Sequence, residues 1–579
     1  MKGPSARSTV AGARSSATFA TDLFHHSARG QGGPTMRHMA EIPDLPFVPT
    51  IPELVRRATE LHGRRTLIAT PTGRATFAEV DLAARRLARR LIGSGVGKGT
   101  RVGLHFAYSV DFIVAWVAAA RIGALVMPFS TSYAPGELRK ALRRCDVNTF
   151  IVPRRMLGRD QLQFVLRAVP ELDSASSSPL YLHELPNLRS VWVIGESDRD
   201  WARPIDTGDD ASEVDDELLV QVEQDVTPAD WLVVISTSGS TAEPKGVVHT
   251  HGSTVRKAAV PLMAGMGEVG PQVVFASMPL FWVGGLLTLT NALCFGNTMV
   301  CQERFSVDEA LDLIEQERCT AVSAWLTITQ ALREHPSLPR RNLQHIPALT
   351  EPIASRPYGV PLGMTESMGP YMTLPHPDYG FNPPGDLAGS QGIASPYYDL
   401  RTVDAVSGET LTTAGGDGEG EMCLRGPLML AGLYKREQHE VFDEDGYYHT
   451  GDRVRMEKGL YFFVGRVTEM IKTNGANVAP PEVEAVLESF PDVKFAFVFG
   501  IPDPGREEEV CAVVVPADGA VVDVGSLRSL ARDELSSYKI PRRVIVMAED
   551  DVPWLPTGKP DKRAMRTRVI AAAGAQPSP

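Results

Sequence analysis

The sequence predicts an α/β protein: a large N-terminal domain of doubly wound sheets with a small β-rich subdomain, followed by a small, mobile α+β C-terminal domain. Between residues 51 and 128, helical and strand patterns alternate, which is typical of a largely parallel sheet. After Ile393 the pattern changes to short strands and turns, which predicts the β-rich subdomain. A second α/β pattern begins near Arg466. A chain of 579 residues is also too long for one core.

The individual elements follow in chain order. Thr76 and Glu79 form a capping box that predicts a helix through Leu91, because each side chain satisfies a backbone donor at the helix start. Residues 206–225 are rich in Asp and Glu and are predicted to form a solvated surface loop. The remaining predicted elements are helices at 53–61, 111–122, 481–490 and 524–535, and strands at 102–106, 124–128, 231–236, 400–403, 420–425, 447–450, 496–500 and 510–515.

These patterns divide the chain into two domains and two tails. We expect the N-terminal domain at residues 46–466, the C-terminal domain at 467–568 and a short tail at 569–579. Residues 1–45 are rich in Ser, Ala, Gly and Arg and poor in acids, which fits a disordered tail or a processed transit peptide.

Charge and hydropathy narrow the classes of function. The net charge of −12 argues against a general nucleic-acid binder, which needs a basic face. No apolar run approaches the roughly 20 residues that span a bilayer. Six cysteines are scattered without a CxxC pair, so we expect reduced core residues. The sequence therefore predicts a cytoplasmic protein that is not a general nucleic-acid binder.

A segment rich in glycine and hydroxyl groups follows the predicted strand at 231–236. Residues 236–246 read STSGSTAEPKG. Backbone N–H groups and one lysine at the end of a strand can bind phosphates. The segment lacks the GxxxxGK[ST] pattern of kinase-like and GTPase-like proteins. By itself it also fits a flexible surface turn.

Further motifs follow in order: LGMTE at 362–366, YHTGD at 448–452, GRVTEMIK at 465–472 and LPTGKPDK at 555–562. With the first segment, they resemble the acyl-adenylate-forming superfamily, which includes acyl-CoA synthetases, luciferases and the adenylation domains of peptide synthetases. The resemblance extends over roughly residues 52–563. It implies ATP-dependent activation of a carboxylic acid as an acyl-adenylate, followed by transfer of the acyl group to CoA.

The resemblance also implies roles for individual residues. Glu366 corresponds to the residue that helps to hold Mg²⁺ on ATP, and Thr365 to a residue that contacts the α-phosphate. Asp452 corresponds to the ribose-binding aspartate and Arg466 to a second ribose contact. The phosphate loop contributes Thr237, Ser238, Gly239, Ser240, Thr241 and Lys245.

For the C-terminal domain, the resemblance implies that two different faces act in turn, one during adenylation and one during thiol transfer. Lys559 corresponds to the lysine that bridges the acid and the α-phosphate during adenylation. Thr468 occupies the hinge, where the family usually has Asp or Lys, and Lys472 and Gly475 lie where the face for thiol transfer forms. No carrier-protein domain follows Lys559, so free CoA is the expected thiol.

The acid itself is expected to be hydrophobic. Residues 278–285, MPLFWVGG, resemble the PxFHxGG segment that flanks the acyl site in the family, so Trp282 and Gly284 are candidate pocket residues. Trp282 replaces the usual histidine and offers a large apolar wall. A tryptophan buried in the core is the alternative interpretation.

Three departures from the family pattern keep other functions open. Leu362 stands where the family stacks an aromatic ring on adenine, Ala242 replaces a loop glycine, and the segment at 326–362 is short. We therefore predict a modified adenine pocket. The alternatives are an enzyme that loads an acyl carrier protein and a catalytically weak nucleotide-binding homologue.

Overall fold

The computed structural model describes most of the chain beyond residue 44. The described residues are 45–133, 135–175, 179–205, 214–237, 245–259, 271–350, 358–359, 361–373, 379, 383–404, 407–413, 416–467, 471–473, 476–478, 480–503, 507–535, 538–555 and 559–574.

The largest sheet of the N-terminal domain has eight strands. In the spatial order given below, each of the first two strands is antiparallel to the strand that follows it, and the other six strands are mutually parallel. In spatial order the strands are Gly432–Leu433, Lys245–Thr250, Trp231–Thr237, Leu125–Pro128, Arg101–Leu104, Thr149–Pro153, Ser190–Ile194 and Ala202–Ile205.

A second sheet of the same domain has five strands, parallel except for the last pair. In spatial order they are Ala321–Ser323, Val273–Ala276, Thr298–Val300, Thr66–Thr70 and Gly73–Thr76. The described helices of this part of the chain are Ile51–His62, Phe77–Gly93, Val110–Arg121, Pro135–Arg144, Gln161–Ala168, Asp216–Gln224, His251–Ala259, Val283–Phe295, Val307–Gln316, Leu326–Glu334 and Pro347–Thr350.

Both faces of the large sheet are buried, which confirms the doubly wound arrangement. Along one parallel strand, Val126 packs into one core cluster, whereas Leu125 and Met127 pack into another. Side chains of successive strand residues point to opposite faces, so apolar layers cover the sheet on both sides.

The predicted capping box is present at the start of the helix Phe77–Gly93. The Glu79 backbone N–H donates to Thr76 Oγ1 at 3.2 Å, and the Thr76 N–H donates to Glu79 Oε2 at 2.8 Å. This helix packs against Val110–Arg121, where Arg121 is only 1% exposed. Arg121 bonds Asp81 Oδ1 at 2.8 Å and Glu223 Oε1 at 2.7 Å, so its buried charge is paired.

The loop prediction for the acidic segment at 206–225 is wrong over its second half. Asp216–Gln224 is a helix, capped by the Asp215 side chain, which accepts from the Leu218 N–H at 2.8 Å. Leu219 is fully buried, so this turn of helix is anchored in the core. The acidic composition masked an N-cap and one apolar face. Residues 206–213 lie outside the described part of the chain.

The β-rich subdomain is an antiparallel sheet of five strands, as the short-strand pattern predicted. The strand that begins at Tyr448 is longer than expected, because its pairing continues to Glu457. In spatial order the strands are Thr410–Thr413, Asp399–Val403, Gly418–Arg425, Tyr448–Glu457 and Leu460–Arg466.

The C-terminal domain has its own sheet and core. Its strands are Ala476–Val478, Ile471–Thr473, Glu507–Pro516 and Val493–Asp503 in spatial order, with Arg543–Val546 also paired to Glu507–Pro516. Its helices are Pro480–Glu488, Val524–Glu534 and Lys562–Gly574. Within the described residues, no helix is both long and apolar enough to cross a membrane.

Candidate active site

The hairpin that carries the predicted phosphate loop lies near one edge of the eight-stranded sheet, next to the outermost strand Gly432–Leu433. Trp231–Thr237 and Lys245–Thr250 pair antiparallel, and Thr237 stands directly opposite Lys245. The Thr237 hydroxyl donates to the Lys245 carbonyl at 3.5 Å. These two residues therefore flank the loop at its base. Ser238, Gly239, Ser240 and Thr241 lie outside the described residues.

A single histidine connects this hairpin to the next motif. His249 is fully buried, and its Nε2 lies 2.7 Å from the Thr365 carbonyl. Burial lowers the pKa of His249 to about 4, so the ring is neutral near pH 7. Because a carbonyl can only accept, the neutral ring carries its proton on Nε2. Thr365 is thereby fixed beside the strand that begins at Lys245.

Glu366 is held by two partners from distant parts of the chain. The Tyr448 hydroxyl donates to Glu366 Oε1 at 2.9 Å, and the Leu430 N–H donates to the Glu366 carbonyl at 2.7 Å. Glu366 is 8% exposed. Burial, and then the charge of Glu366, raise the pKa of Tyr448 far above its usual value, so the phenol remains a donor.

Asp452 and Arg466 are neighbours across two strands of the β-rich sheet. Arg466 Nε lies 2.8 Å from Asp452 Oδ1, and Arg466 Nη1 donates to the Thr450 carbonyl at 2.9 Å. Gly451, which lies between Thr450 and Asp452 in the chain, has a φ of +70°, a left-handed conformation that suits glycine. This kink and the ion pair fix the direction of the Asp452 carboxylate.

His249 and Tyr448 thus connect the three chain segments that carry candidate groups. The strand at Lys245 is bonded to Thr365, the adjacent Glu366 is bonded to Tyr448, and the strand of Tyr448 carries Asp452. Neither His249 nor Tyr448 was predicted as a site residue from the sequence. Tyr448 begins the YHTGD motif, so its position was a usable signal, but its partner lies 82 residues away in the chain.

The chemistry of these residues fits a magnesium ion that arrives with ATP. Mg²⁺ is usually bound by one or two carboxylates together with substrate phosphates and water. Glu366 supplies one buried carboxylate next to the Thr365 hydroxyl. In the described part of the chain, no group of three or more His, Cys, Asp or Glu residues could hold a metal by itself.

Aromatic side chains surround Trp282 at the start of the helix Val283–Phe295. Its ring lies edge-on to Phe281 at 5.3 Å and to Trp325 at 5.7 Å between centroids. Trp325 is 42% exposed, so this group reaches the surface and is not a closed core. A side chain at Gly284 would meet Met278 Sδ at 2.3 Å, so glycine permits the close packing there.

The helix that begins after Trp282 also contacts the segment that follows Glu366. Leu287, one turn beyond Trp282, lies 2.9 Å from where a Cβ on Gly369 would be. Leu362, before the turn, packs against an apolar cluster that includes Tyr371 and Tyr448. Its carbonyl accepts from the Tyr371 N–H at 2.9 Å.

The C-terminal candidates are not joined to this site by the described contacts. Lys559 is exposed, and its carbonyl accepts from the Leu555 N–H at 2.8 Å. Lys472 lies on the strand Ile471–Thr473, opposite Asn477. Thr468 and Gly475 lie outside the described residues.

The fold and motifs agree with the family to which the chain belongs. A model of the AMP-binding enzyme family matches residues 54–434, and a model of the AMP-binding enzyme C-terminal domain matches residues 482–559. The chain is therefore a member of the AMP-binding enzyme family, within the superfamily of adenylate-forming CoA ligases.

Individual relatives cover nearly the whole chain. It is 29% identical to an indoleacetate–CoA ligase of Aromatoleum aromaticum over 89% of this chain and 98% of that protein. It is 28% identical to the long-chain-fatty-acid–CoA ligase FadD13 of Mycobacterium tuberculosis over 86% and 94%. The solved structure of the amide bond synthetase McbA from Marinactinospora thermotolerans matches with a TM-score of 0.72 and 28% identity, over 89% and 99%.

Proposed function

We propose that this protein converts a hydrophobic carboxylic acid and ATP into an acyl-adenylate and pyrophosphate, and then transfers the acyl group to the CoA thiol with release of AMP. The observation that carries the proposal is the joining of Lys245, Glu366 and Asp452 through His249 and Tyr448. A phosphate-loop lysine, a carboxylate suited to Mg²⁺ and a carboxylate suited to ribose hydroxyls are the groups that ATP requires.

Each group has a defined part in the first half-reaction. Thr237 and Lys245 flank the loop proposed to bind the phosphates, together with Ser238, Gly239, Ser240 and Thr241. Asp452, oriented by Arg466, accepts from the ribose hydroxyls. Glu366 binds the magnesium ion of ATP, and Thr365 contacts the α-phosphate.

Lys559 supplies the charge that the attack on phosphorus needs. The attacking acid and the α-phosphate are both anions, so a cation between them stabilises the transition state; losing such a group slows a step by about 10²–10³-fold. Lys559 is exposed, and its proposed role requires that rotation of the C-terminal domain bring it to the site. Thr468 is the proposed hinge, and rotation then presents Lys472 and Gly475 to the thiol.

The aromatic group around Trp282 supports a hydrophobic and preferably planar acid. Trp282, Phe281 and Trp325 present ring faces and edges, which favour flat apolar molecules. The names of the relatives include an indoleacetate ligase and a fatty-acid ligase, which agrees with a hydrophobic acid in general.

Amide formation is a second candidate, because the chain is 28% identical to an enzyme described as an amide bond synthetase. Both candidates share the adenylate and differ in the acceptor. The deciding experiment supplies one accepted acid and ATP with CoA, with a phosphopantetheinyl carrier protein or with simple amines, and identifies the product by mass spectrometry. The proposal requires the acyl-CoA thioester at the highest rate; faster production of an amide or a loaded carrier would contradict it.

A further inference from the structure

A lysine is buried directly behind the turn that carries Glu366. Lys257 lies on the helix His251–Ala259 and is 1% exposed. Its ammonium donates to the Pro370 carbonyl and, at 2.6 Å, to the Tyr398 hydroxyl. It also lies 4.7 Å from the centre of the Tyr398 ring. These described partners are neutral oxygens and a ring, whereas the other buried cation described above, Arg121, is paired with two carboxylates.

The turn that carries Glu366 is held by hydrogen-bond donors from the protein itself. Met368 and Gly369 both have left-handed backbones, with φ of +51° and +109°. The Ser367 hydroxyl donates to the Gly369 carbonyl at 2.6 Å, and the Tyr398 hydroxyl donates to the Ser367 carbonyl at 2.9 Å. A left-handed backbone is unfavourable for a residue with a side chain, so Met368 keeps this conformation only when its surroundings hold it.

Stability alone gives a weak reason for a lysine at position 257. Removing an ammonium from water is costly, and apolar side chains of similar volume often replace buried charges without loss of stability. Burial lowers the pKa of Lys257 to about 7, which reflects that cost. What an apolar side chain does not provide is the pair of donated bonds to Pro370 and Tyr398.

The contacts of the turn are distributed over its two ends. At its start, His249 holds the Thr365 carbonyl and Leu430 holds the Glu366 carbonyl. At its end, Lys257 holds Pro370 and, through Tyr398, also Ser367. The second set therefore holds the backbone that directly follows Glu366.

We propose that Lys257 is a positioning residue for ATP·Mg²⁺. Acting through Pro370 and Tyr398, it fixes the left-handed turn and so the directions of Thr365 and Glu366. This inference rests on the proposed function. Misplacing a catalytic group by about 1 Å costs on the order of 100-fold in rate, so loss of Lys257 is expected to lower kcat/KM for ATP by about 10- to 100-fold.

The test compares Lys257→Met with the wild-type full-length chain. Acid-dependent ATP–pyrophosphate exchange gives kcat, the KM for ATP·Mg²⁺ and the Mg²⁺ requirement, and thermal unfolding gives Tm. All assays run well below the lowest Tm. The expected result is a raised KM for ATP·Mg²⁺ and a raised Mg²⁺ requirement, with substantial recovery in Lys257→Arg, which restores a cation with donors. Unchanged KM and Mg²⁺ requirement in Lys257→Met would overturn the inference.

Two further variants keep the test decisive. Tyr398→Phe removes the hydroxyl that Lys257 and Ser367 share but leaves the ammonium, and the same kinetic shift is expected at smaller size; it replaces Lys257→Met if that variant does not fold. Arg121→Met removes a buried cation whose partners, Asp81 and Glu223, are not part of the turn, so it should lower Tm without raising the KM for ATP·Mg²⁺. If the wild-type protein showed no ATP–pyrophosphate exchange with any acid, the proposed function itself would be refuted. That result is distinct from a failure of the Lys257 variants.

Discussion

The bond between Tyr448 and Glu366 gives the most specific prediction about the site. Tyr448→Phe removes one hydroxyl and preserves the ring that packs in the apolar cluster. Glu366 then keeps its burial at 8% exposure but loses the donor that lies 2.9 Å from Oε1. The carboxylate becomes free to rotate or to recruit water, and its fit to ATP·Mg²⁺ worsens.

The magnitude follows from the type of bond. Hydrogen bonds to charged groups contribute about 1.5–3 kcal/mol, and about 1.4 kcal/mol corresponds to a tenfold change. We therefore expect kcat/KM for ATP to fall by about 10- to 150-fold in Tyr448→Phe. The assay is acid-dependent ATP–pyrophosphate exchange at varied ATP and Mg²⁺, since it reports adenylation without the acceptor.

Tyr447→Phe is a closely matched control. Its hydroxyl donates to Asp399 Oδ2 at 2.7 Å, so it also loses a tyrosine–carboxylate bond, one residue earlier in the chain. Asp399 has no proposed part in binding ATP, so this variant should retain the wild-type KM. Equal kinetic effects in the two variants, or a Tyr448→Phe enzyme with wild-type kcat/KM, would refute the assignment of Glu366 to the nucleotide site.

Three further predictions address other parts of the molecule. Asp452→Asn should raise the KM for ATP by about 10- to 100-fold, because a charged acceptor for the ribose hydroxyls is lost; titration with AMP should show the same loss, and unchanged AMP affinity would contradict it. Trp282→Ala should shift the preference among acids towards bulkier ones, measured as ratios of kcat/KM across a panel; unchanged ratios would place Trp282 outside the pocket. Burial lowers the pKa of His105 and His251 to about 4, against 6.5 in the unfolded chain, so the unfolded state binds more protons between those values and stability falls as pH drops from about 6.5 to 4. Each histidine should lower the free energy of unfolding by about 3 kcal/mol by pH 4. In His251→Asn the side chain can still accept from the Ile51 N–H, so the variant should keep this bond and flatten the dependence of Tm on pH. An unchanged slope would contradict this account.

Local signals in the sequence were enough to predict much of the fold. The Thr76–Glu79 capping box and the apolar pattern near residues 111–122 identify helices that the structure contains, because caps and periodicity act over a few residues. The acidic segment was misassigned because its composition masked the local N-cap at Asp215. The burial of Leu219 depends on packing against another helix, which composition does not reveal.

The candidate site was predictable only as separate motifs. Lys245, Glu366 and Asp452 were each identified within a short segment, but the contacts of His249, Tyr448 and other partners that join them cross more than 80 residues of chain. From the sequence alone, a histidine or tyrosine in a strand is interpreted as a core residue until its hydrogen-bond partner is known. The roles of Lys472 and Lys559 remain predictions from resemblance.

The central claim is that this chain forms an acyl-adenylate from a hydrophobic acid. The most direct measurement is the exchange of labelled pyrophosphate into ATP by the wild-type protein, across a panel of fatty, aryl and arylacetic acids with amino acids for comparison. The account predicts Mg²⁺-dependent exchange that requires one of the hydrophobic acids and is not supported by the amino acids. Absence of exchange with every acid, or exchange supported only by amino acids, would contradict it.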